Sequence, residues 1–315
     1  MARSGFDTFI PQSTAVGLLG AGQLARMLAL AAHPMGLKPY VLSETPEAPA
    51  VHVTAFYVKG SAENTQTLSR FLSKVEWATF ESEFVNADLL FQLPKNLQQK
   101  FFPSPFCMKL LQNRGTQKLA LVKLGLKTSD FSAFNSSQGL KKSIRELGFP
   151  LVLKKSFGGY DGYGTFYLKN KKDLQIFLKT QKMESGWIAE QFVDFDRELA
   201  ISAARNHQGD VVFLPLVETK QTQSRCDWVK GPVQHPKLGE LKKRIQSFLK
   251  KINYVGIVAF ELFDTGKELL VNEVAPRVHN SAHYSQNALN IDQFTLHWMC
   301  GLGMKLPEIE VLRPF

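Results

Sequence analysis

Short apolar runs, each closed by a polar residue or a glycine, alternate along the first third of the chain with stretches whose apolar residues recur every three or four positions. TAVGLLG (14–20) predicts a strand, and AGQLARMLALAAHPMG (21–36) a helix that Gly36 closes. KPYVLSE, HVTAFYVKG and VEWATFE predict three more strands, with NTQTLSRFLSK a helix between the last two. Short strands alternating with helices predict a parallel, doubly wound sheet. This first unit ends near PSP (103–105).

The pattern then changes. PFCMKLLQNRGTQKLALVKLG (105–125) predicts one long helix, and GFPLVLKKSFGGYDGYGTFYLKN (148–170) a strand, a glycine-rich turn and a second strand. A parallel pair would need a helix between those strands, so the segment predicts a hairpin with a mobile tip. Helix NKKDLQIFLKTQK leads into strand WIAEQFV, and DRELAISAARN pairs with DVVFLPLVE across HQGD. In PKLGELKKRIQSFLKKIN, Leu238, Leu241, Ile245, Phe248, Leu249 and Ile252 form one apolar helical stripe. Strands VGIVAFELFD and ELLVNEV and a helix near DQFTLHWMCGLG follow. The later part is thus α+β with antiparallel hairpins, without repeats, low-complexity tracts or a long linker.

Composition narrows the picture. A chain of 315 residues, 44% apolar and 21% charged, has room for two or three globular domains. No apolar run approaches the roughly 18 residues of a membrane helix, and MARSGFDTFIPQS lacks a signal-peptide core, so neither a membrane span nor export is expected. Three well-separated cysteines (Cys107, Cys226, Cys300) without CxxC spacing fit reduced thiols in the cytoplasm. The net charge of +10 comes largely from runs such as Lys141-Lys142, Lys171-Lys172 and the KKR of the basic helix. There the lysines cover the outer face of a docked helix, so no nucleic-acid partner is expected; the same field favours phosphorylated small substrates.

Several constellations carry candidate chemistry. Gly20 to Ala25 (GAGQLA) matches the G-x-G-x-x-G/A turn, and Glu44 follows where a ribose-binding acid would stand, which reads as dinucleotide binding, phosphate binding or a merely structural turn. SFGGYDGYG (156–164) sets four glycines around Tyr160 and Asp161, so backbone amides can approach phosphate oxygens; it is not a Walker loop. Lys154 could aim a cation under that loop or lie along the surface. Glu190 and Glu198 flank a strand exit able to offer backbone groups to a flat base and a carboxylate to ribose. Glu261 and Glu273 stand on successive strands; converging in a hairpin, with Asn272 beside them, they suit Mg²⁺ bridging phosphates. In NEVAPRVHNSAHYS, His279 and His283 are four apart, but the H-E-x-x-H glutamate is absent and Pro276 argues for a loop, so zinc is not expected. No G-x-S-x-G elbow supports a serine hydrolase.

Taken in order, GLLGAGQLARML, ATFESE, NRGTQK, LKKSFGGYDGYG, AEQFVDFDREL, VAFELF and NEVAPRVHNSAH resemble the ATP-grasp superfamily. Within it they resemble the N5-carboxyaminoimidazole ribonucleotide synthases, the ATPase subunit of the phosphoribosylaminoimidazole carboxylase system. The resemblance runs from about Val16 to Leu302, and the last motif is the most specific. It implies a Rossmann-like pre-ATP-grasp domain (1–105), an ATP-grasp lid subdomain (106–193) and a large subdomain with the metal and bicarbonate site (194–315). It also implies ATP and Mg²⁺ as cofactors, a cytoplasmic homodimer, and substrates ATP, bicarbonate and a phosphorylated aminoimidazole nucleotide.

By residue, the resemblance places Arg114 and Lys154 on ATP phosphates beneath Gly158 and Gly159. It places Glu190 and the backbone near Val193 at adenine, Glu198 at ribose, and Glu261 and Glu273, helped by Asn272, at Mg²⁺. Arg277, His279 and Asn280 would hold bicarbonate or carboxyphosphate, with Asp161 as a further catalytic group. Gln23, Leu24, Glu81, Tyr160 and Asp161 would face aminoimidazole ribonucleotide. His283 reads as support for the final loop. The chain departs from the family pattern at Tyr163 to Thr165 and at Thr219 to Cys226, and it stops at Phe315 where family chains continue into a small β-rich domain. Those departures imply, as the alternative, a ligase that activates bicarbonate or another carboxylate for a different acceptor.

Overall fold

The computed structural model describes residues 14–54, 56–158, 164–183, 186–222 and 225–315. Val16 and Leu18 of β1 (Ala15–Leu19) are fully buried, as a strand covered on both faces requires. α1 (Gln23–Ala32) follows the glycine turn, and β2 (Lys38–Ser43), β3 (Phe56–Lys59), α2 (Thr65–Leu72) and β4 (Trp77–Phe80) complete a parallel sheet in the order β3-β2-β1-β4. The alternating pattern of the sequence is reproduced element by element.

The short helices α3 (Ala87–Gln92) and α4 (Lys95–Gln98) lead to α5 (Pro105–Gln112) and α6 (Arg114–Lys123). One helix was expected across this stretch. Asn113 divides it: its backbone is extended, and its side-chain oxygen accepts from the amides of Gly115 (2.9 Å) and Thr116 (3.2 Å). An N-cap of this kind ends one helix by starting the next.

A second, antiparallel sheet comprises β5 (Phe131–Phe134), β6 (Leu151–Lys155), β7 (Thr165–Leu168) and β8 (Trp187–Gln191), in the order β5-β8-β6-β7. The expected β6–β7 hairpin is present; its tip, including Gly159, Tyr160, Asp161 and Tyr163, lies outside the described residues. α7 (Ser137–Leu147), which the sequence reading did not anticipate, and α8 (Lys171–Thr180) complete this unit, and Phe166, Phe177 and Trp187 meet edge to face in its core.

The third sheet holds six strands. β9 (Arg197–Arg205), β10 (Val211–Phe213), β11 (Val217–Thr222), β12 (Arg225–Lys230), β13 (Gly256–Asp264) and β14 (Leu269–Ala275) run β12-β11-β9-β13-β14, with β10 also on β9. DVVFLPLVE, expected as one strand, forms two, because Pro215 has no amide to continue the ladder. Between β12 and β13, α9 (Leu238–Lys251) buries the anticipated stripe, with Ile245, Phe248 and Leu249 fully enclosed. α10 (Ser285–Ala288) and α11 (Gln293–Gly301) then carry the chain back to the first sheet.

α11 ties the first sheet to the third. The indole of Trp298 donates to the Leu28 carbonyl at 2.8 Å. The Ile257 amide donates to Nδ1 of His297 (3.2 Å), which leaves the proton on Nε2, facing the Thr79 hydroxyl at 2.6 Å. A single apolar core therefore runs from β1 and α1 through α11 to Ala204 and Ile257. No helix among the described residues is long and apolar enough to cross a membrane.

Candidate active site

The site is organised by the β13–β14 hairpin. Its register sets Glu261 opposite Glu273, where side chains on one face meet. The next pair is Leu262 with Val271, so β14 carries one extra residue, a bulge at Asn272. Neighbouring side chains on a regular strand point to opposite faces; the bulge lets Asn272 and Glu273 both reach one cleft. Burial first, then repulsion from Glu273 and Glu198, pushes the pKa of Glu261 up to about 7.

That cleft has a volume of about 530 Å³ and is walled by β6, β8, β9, β13, β14 and the loop after β14. It gathers Arg114, Lys154, Glu190, Val193, Glu198, Glu261, Asn272, Glu273, Arg277, His279 and Asn280, all singled out from sequence. At one end Val152, Tyr167, Phe192, Phe195 and Phe263 form an apolar wall, with Phe195 and Phe263 stacked at 4.5 Å. Such a wall suits a flat base. Thr165, Gln221 and Cys226, where the chain departs from the family pattern, line the same cleft.

The cationic groups are held in place by acids. Lys154 lies 3.1 Å from Glu190 and donates to the Asn272 side chain at 2.9 Å. Lys118, fully buried and missed by the sequence reading, lies 3.0 Å from the other oxygen of Glu190 and donates to Thr128 and Ser129. Burial alone would raise the Glu190 pKa, but Lys154 and Lys118 outweigh it and hold it at about 2. The carboxylate expected beside adenine is therefore engaged by two ammonium groups. Lys118 stands four residues after Arg114 and three before the buried Leu121, and that helical spacing is the signal that could have found it. Arg114 itself reaches both oxygens of Glu273, at 3.1 and 3.0 Å.

The far end of the cleft is built by the loop after β14. The Ser281 amide donates to Nδ1 of His279, which leaves the proton on Nε2, 3.6 Å from Glu261. Burial, then the charge of Arg277, depresses the His279 pKa to about 3, so this N–H is an uncharged donor. The buried Gln293 side chain accepts from the His279 amide (2.9 Å) and donates to the His279 carbonyl (2.9 Å) and to Nδ1 of His283 (3.0 Å). His283 thus supports the loop, as expected. Arg277 is gripped by Glu83 through Nε and Nη2, and its Nη1 donates to the Val278 carbonyl at 3.0 Å. Glu83, the second acid of ATFESE, was not singled out from sequence.

Four expected residues, Gln23, Leu24, Glu81 and Gly158, lie outside the cleft wall. Glu81 accepts from the Gly22 amide at 2.7 Å and from those of Leu24 and Ala25, so it closes the start of α1 beside Gln23 rather than lining the cleft. A Cβ on Gly22 would stand 2.1 Å from one Glu81 oxygen, and one on Gly20 2.6 Å from the other. The glycines of GAGQLA thus make room for a carboxylate of the chain itself. Its charge occupies the seat a dinucleotide pyrophosphate would need, which overturns that alternative. Gly158 is not in the cleft wall, and Gly159, Tyr160 and Asp161 lie outside the described residues.

Two facing acids with a carboxamide oxygen are hard donors for Mg²⁺, and their mutual repulsion is the feature a cation relieves. Among the described residues no group of three or more His, Cys, Asp or Glu side chains could hold a metal ion, so a cation here would take further oxygen ligands from phosphates.

Residues 119–294 match the ATP-grasp domain model, and residues 13–112 the ribonucleotide synthetase preATP-grasp domain model. The chain is 32% identical over 303 residues to the N5-carboxyaminoimidazole ribonucleotide synthase of Staphylococcus aureus strain MRSA252, covering 95% of this chain and 80% of that relative. The crystal structure of the Staphylococcus aureus N5-carboxyaminoimidazole synthetase with ADP superposes with a TM-score of 0.88 at 31% identity, over 96% of this chain and 80% of that one. The Aspergillus clavatus N5-carboxyaminoimidazole synthase, bound to ADP and 5-aminoimidazole ribonucleotide, gives 0.87 at 27% identity, over 96% and 81%.

Proposed function

The chain belongs to the N5-carboxyaminoimidazole ribonucleotide synthase family of ATP-grasp ligases, and from that premise we infer the reaction and the part each residue takes in it. It carboxylates 5-aminoimidazole ribonucleotide with bicarbonate and ATP, giving N5-carboxyaminoimidazole ribonucleotide, ADP and phosphate in purine biosynthesis. A bicarbonate oxygen attacks the γ-phosphorus as the bond to ADP breaks. The amino nitrogen of the imidazole attacks the carbon of the resulting carboxyphosphate and displaces phosphate, or attacks the CO₂ that carboxyphosphate releases with phosphate, and then loses its proton.

The division of labour follows the geometry of the cleft. Adenine lies against Phe192, Phe195 and Phe263 and meets the backbone near Val193, with Glu198 at the ribose. Lys154 and Arg114 face the phosphates, Arg114 moving onto them from Glu273, while the buried Lys118 pairs with Glu190. Glu261, Glu273 and Asn272 hold Mg²⁺, which when bound neutralises charge on the transferring phosphoryl group. Arg277, the neutral His279 N–H and Asn280 hold bicarbonate; the family resemblance, not the lining of the cleft, assigns Gln23, Leu24, Glu81, Tyr160 and Asp161 to the acceptor. Cytoplasmic placement is supported by three cysteines without a disulfide, and a homodimer by the family resemblance.

The observation that carries this reading is the sequence of chemistries along one cleft: aromatic wall, a lysine held by Glu190, facing acids, then an arginine beside an uncharged imidazole N–H. ADP release with ATP, Mg²⁺ and bicarbonate should rise when 5-aminoimidazole ribonucleotide is added; ATP binding without stimulation would overturn the acceptor. Glu273→Gln should lower kcat by about 100-fold or more with the fold intact, and unchanged turnover would remove the metal assignment.

A further inference from the structure

Resting on the assignment of bicarbonate to the Arg277 end of the cleft, we propose that Glu83 is a positioning residue for the anion: it holds the Arg277 guanidinium away from the metal-binding acids and presents it to bicarbonate. Glu83 follows β4 of the first sheet, whereas Arg277 follows β14 of the third. The two side chains are about 15% exposed (16% for Glu83 and 15% for Arg277), and each carboxylate oxygen takes a different guanidinium nitrogen. Burial pushes the Glu83 pKa up, but the guanidinium outweighs it, so the carboxylate stays charged.

The competition around Arg277 gives this pair its function. Glu273 and Glu261 also attract the guanidinium, though less than Glu83 does. An arginine released from Glu83 has two further acids within electrostatic reach, Glu261 and Glu273, the second of them shared with Arg114, and folding onto them would remove it from the anion and obstruct the cation. The fork also settles which donors stay available. A guanidinium has five N–H groups; among the described residues Nε, one on Nη2 and one on Nη1 are engaged by Glu83 and the Val278 carbonyl, which leaves two. Because both oxygens of Glu83 are used, the plane of the guanidinium is set as well as its position, and a bidentate pair specifies orientation in a way a single contact does not.

The test separates anion binding from nucleotide binding and from stability. Binding of ¹³C-bicarbonate is followed by line broadening with a non-hydrolysable ATP analogue and Mg²⁺, and steady-state ADP release is measured in parallel. Glu83→Gln should raise the bicarbonate Kd and KM by roughly tenfold or more, the scale of a misplaced binding group, while the Kd of the analogue changes less than about twofold. Glu83→Asp keeps the charge but is one methylene shorter, so an intermediate value is expected, and it stands in if Glu83→Gln does not fold. A lowered Tm with unchanged bicarbonate affinity in both variants would make Glu83 a structural tie only and overturn the proposal; absence of broadening in the unsubstituted protein would overturn it together with the bicarbonate assignment. Selective loss of bicarbonate affinity without stimulation by 5-aminoimidazole ribonucleotide would uphold Glu83 and overturn only the acceptor.

Discussion

Lys118 and Lys154 reach the two oxygens of one buried carboxylate, and removing either leaves Glu190 with half its compensation. Breaking a buried ion pair from one side costs about 3 kcal/mol. Lys118→Met should therefore lower the unfolding free energy from urea titration by that amount, and a loss below about 1 kcal/mol would show that Lys154 alone satisfies the acid. At this scale the sequence is a good guide to residue type and a poor one to partners. Lys154, Glu261 and Glu273 stand out because charged side chains interrupt otherwise apolar elements, whereas Arg114 was reached only through the family resemblance. Glu83 does not stand out, because it shares ATFESE with another acid and its partner is 194 positions away. That separation is closed only by folding.

Among elements, most strands and the major helices were legible because burial imposes its period on the sequence. The failures have local causes. Asn113 divides a helix through a side-chain bond, Pro215 divides a strand, and the Asn272 bulge changes which face a residue occupies without disturbing the apolar pattern. The GAGQLA turn was correctly placed between strand and helix, yet the anion it accommodates is Glu81. Gly22→Ala should push that carboxylate off the helix start and lower stability by about 1 kcal/mol, the usual value of a lost cap, measured by chemical unfolding. Mg²⁺ with ATP should raise the Tm of the unsubstituted protein and NADH should not; a shift with NADH would contradict Glu81 as the occupant of that seat.

Across the whole molecule, α11 makes the first and third sheets share a core, and His297 is the polar pin in that junction. Burial lowers its pKa from the usual 6.5 to about 3. A base that is harder to protonate when folded leaves stability intact above the unfolded pKa and loses it as pH falls from about 6.5 towards 3. The slope is about 1.4 kcal/mol per pH unit for each such group. His297→Gln should show a shallower loss between pH 6.5 and 5 in urea titrations; an identical slope would mean that other groups set the acid limit. None of this was visible in DQFTLHWMCGLG, where a histidine within an apolar helix looks the same whether it faces core or solvent.

The Glu83–Arg277 pair and the neutral His279 together make the far end of the cleft a valence filter. The Glu83 carboxylate already balances the Arg277 guanidinium and the His279 N–H beside them is uncharged, so the pocket holds no surplus positive charge. Each charge on a bound anion is therefore net negative charge in a partly buried space next to Glu261, and a divalent anion brings twice that of a monovalent one. On the proposed assignment of bicarbonate to this pocket, the more highly charged phosphate is disfavoured there. Inorganic phosphate should accordingly compete with bicarbonate more strongly at pH 6 than at pH 8, where its second charge is fully developed; equal inhibition at both would show that the pocket does not count charge.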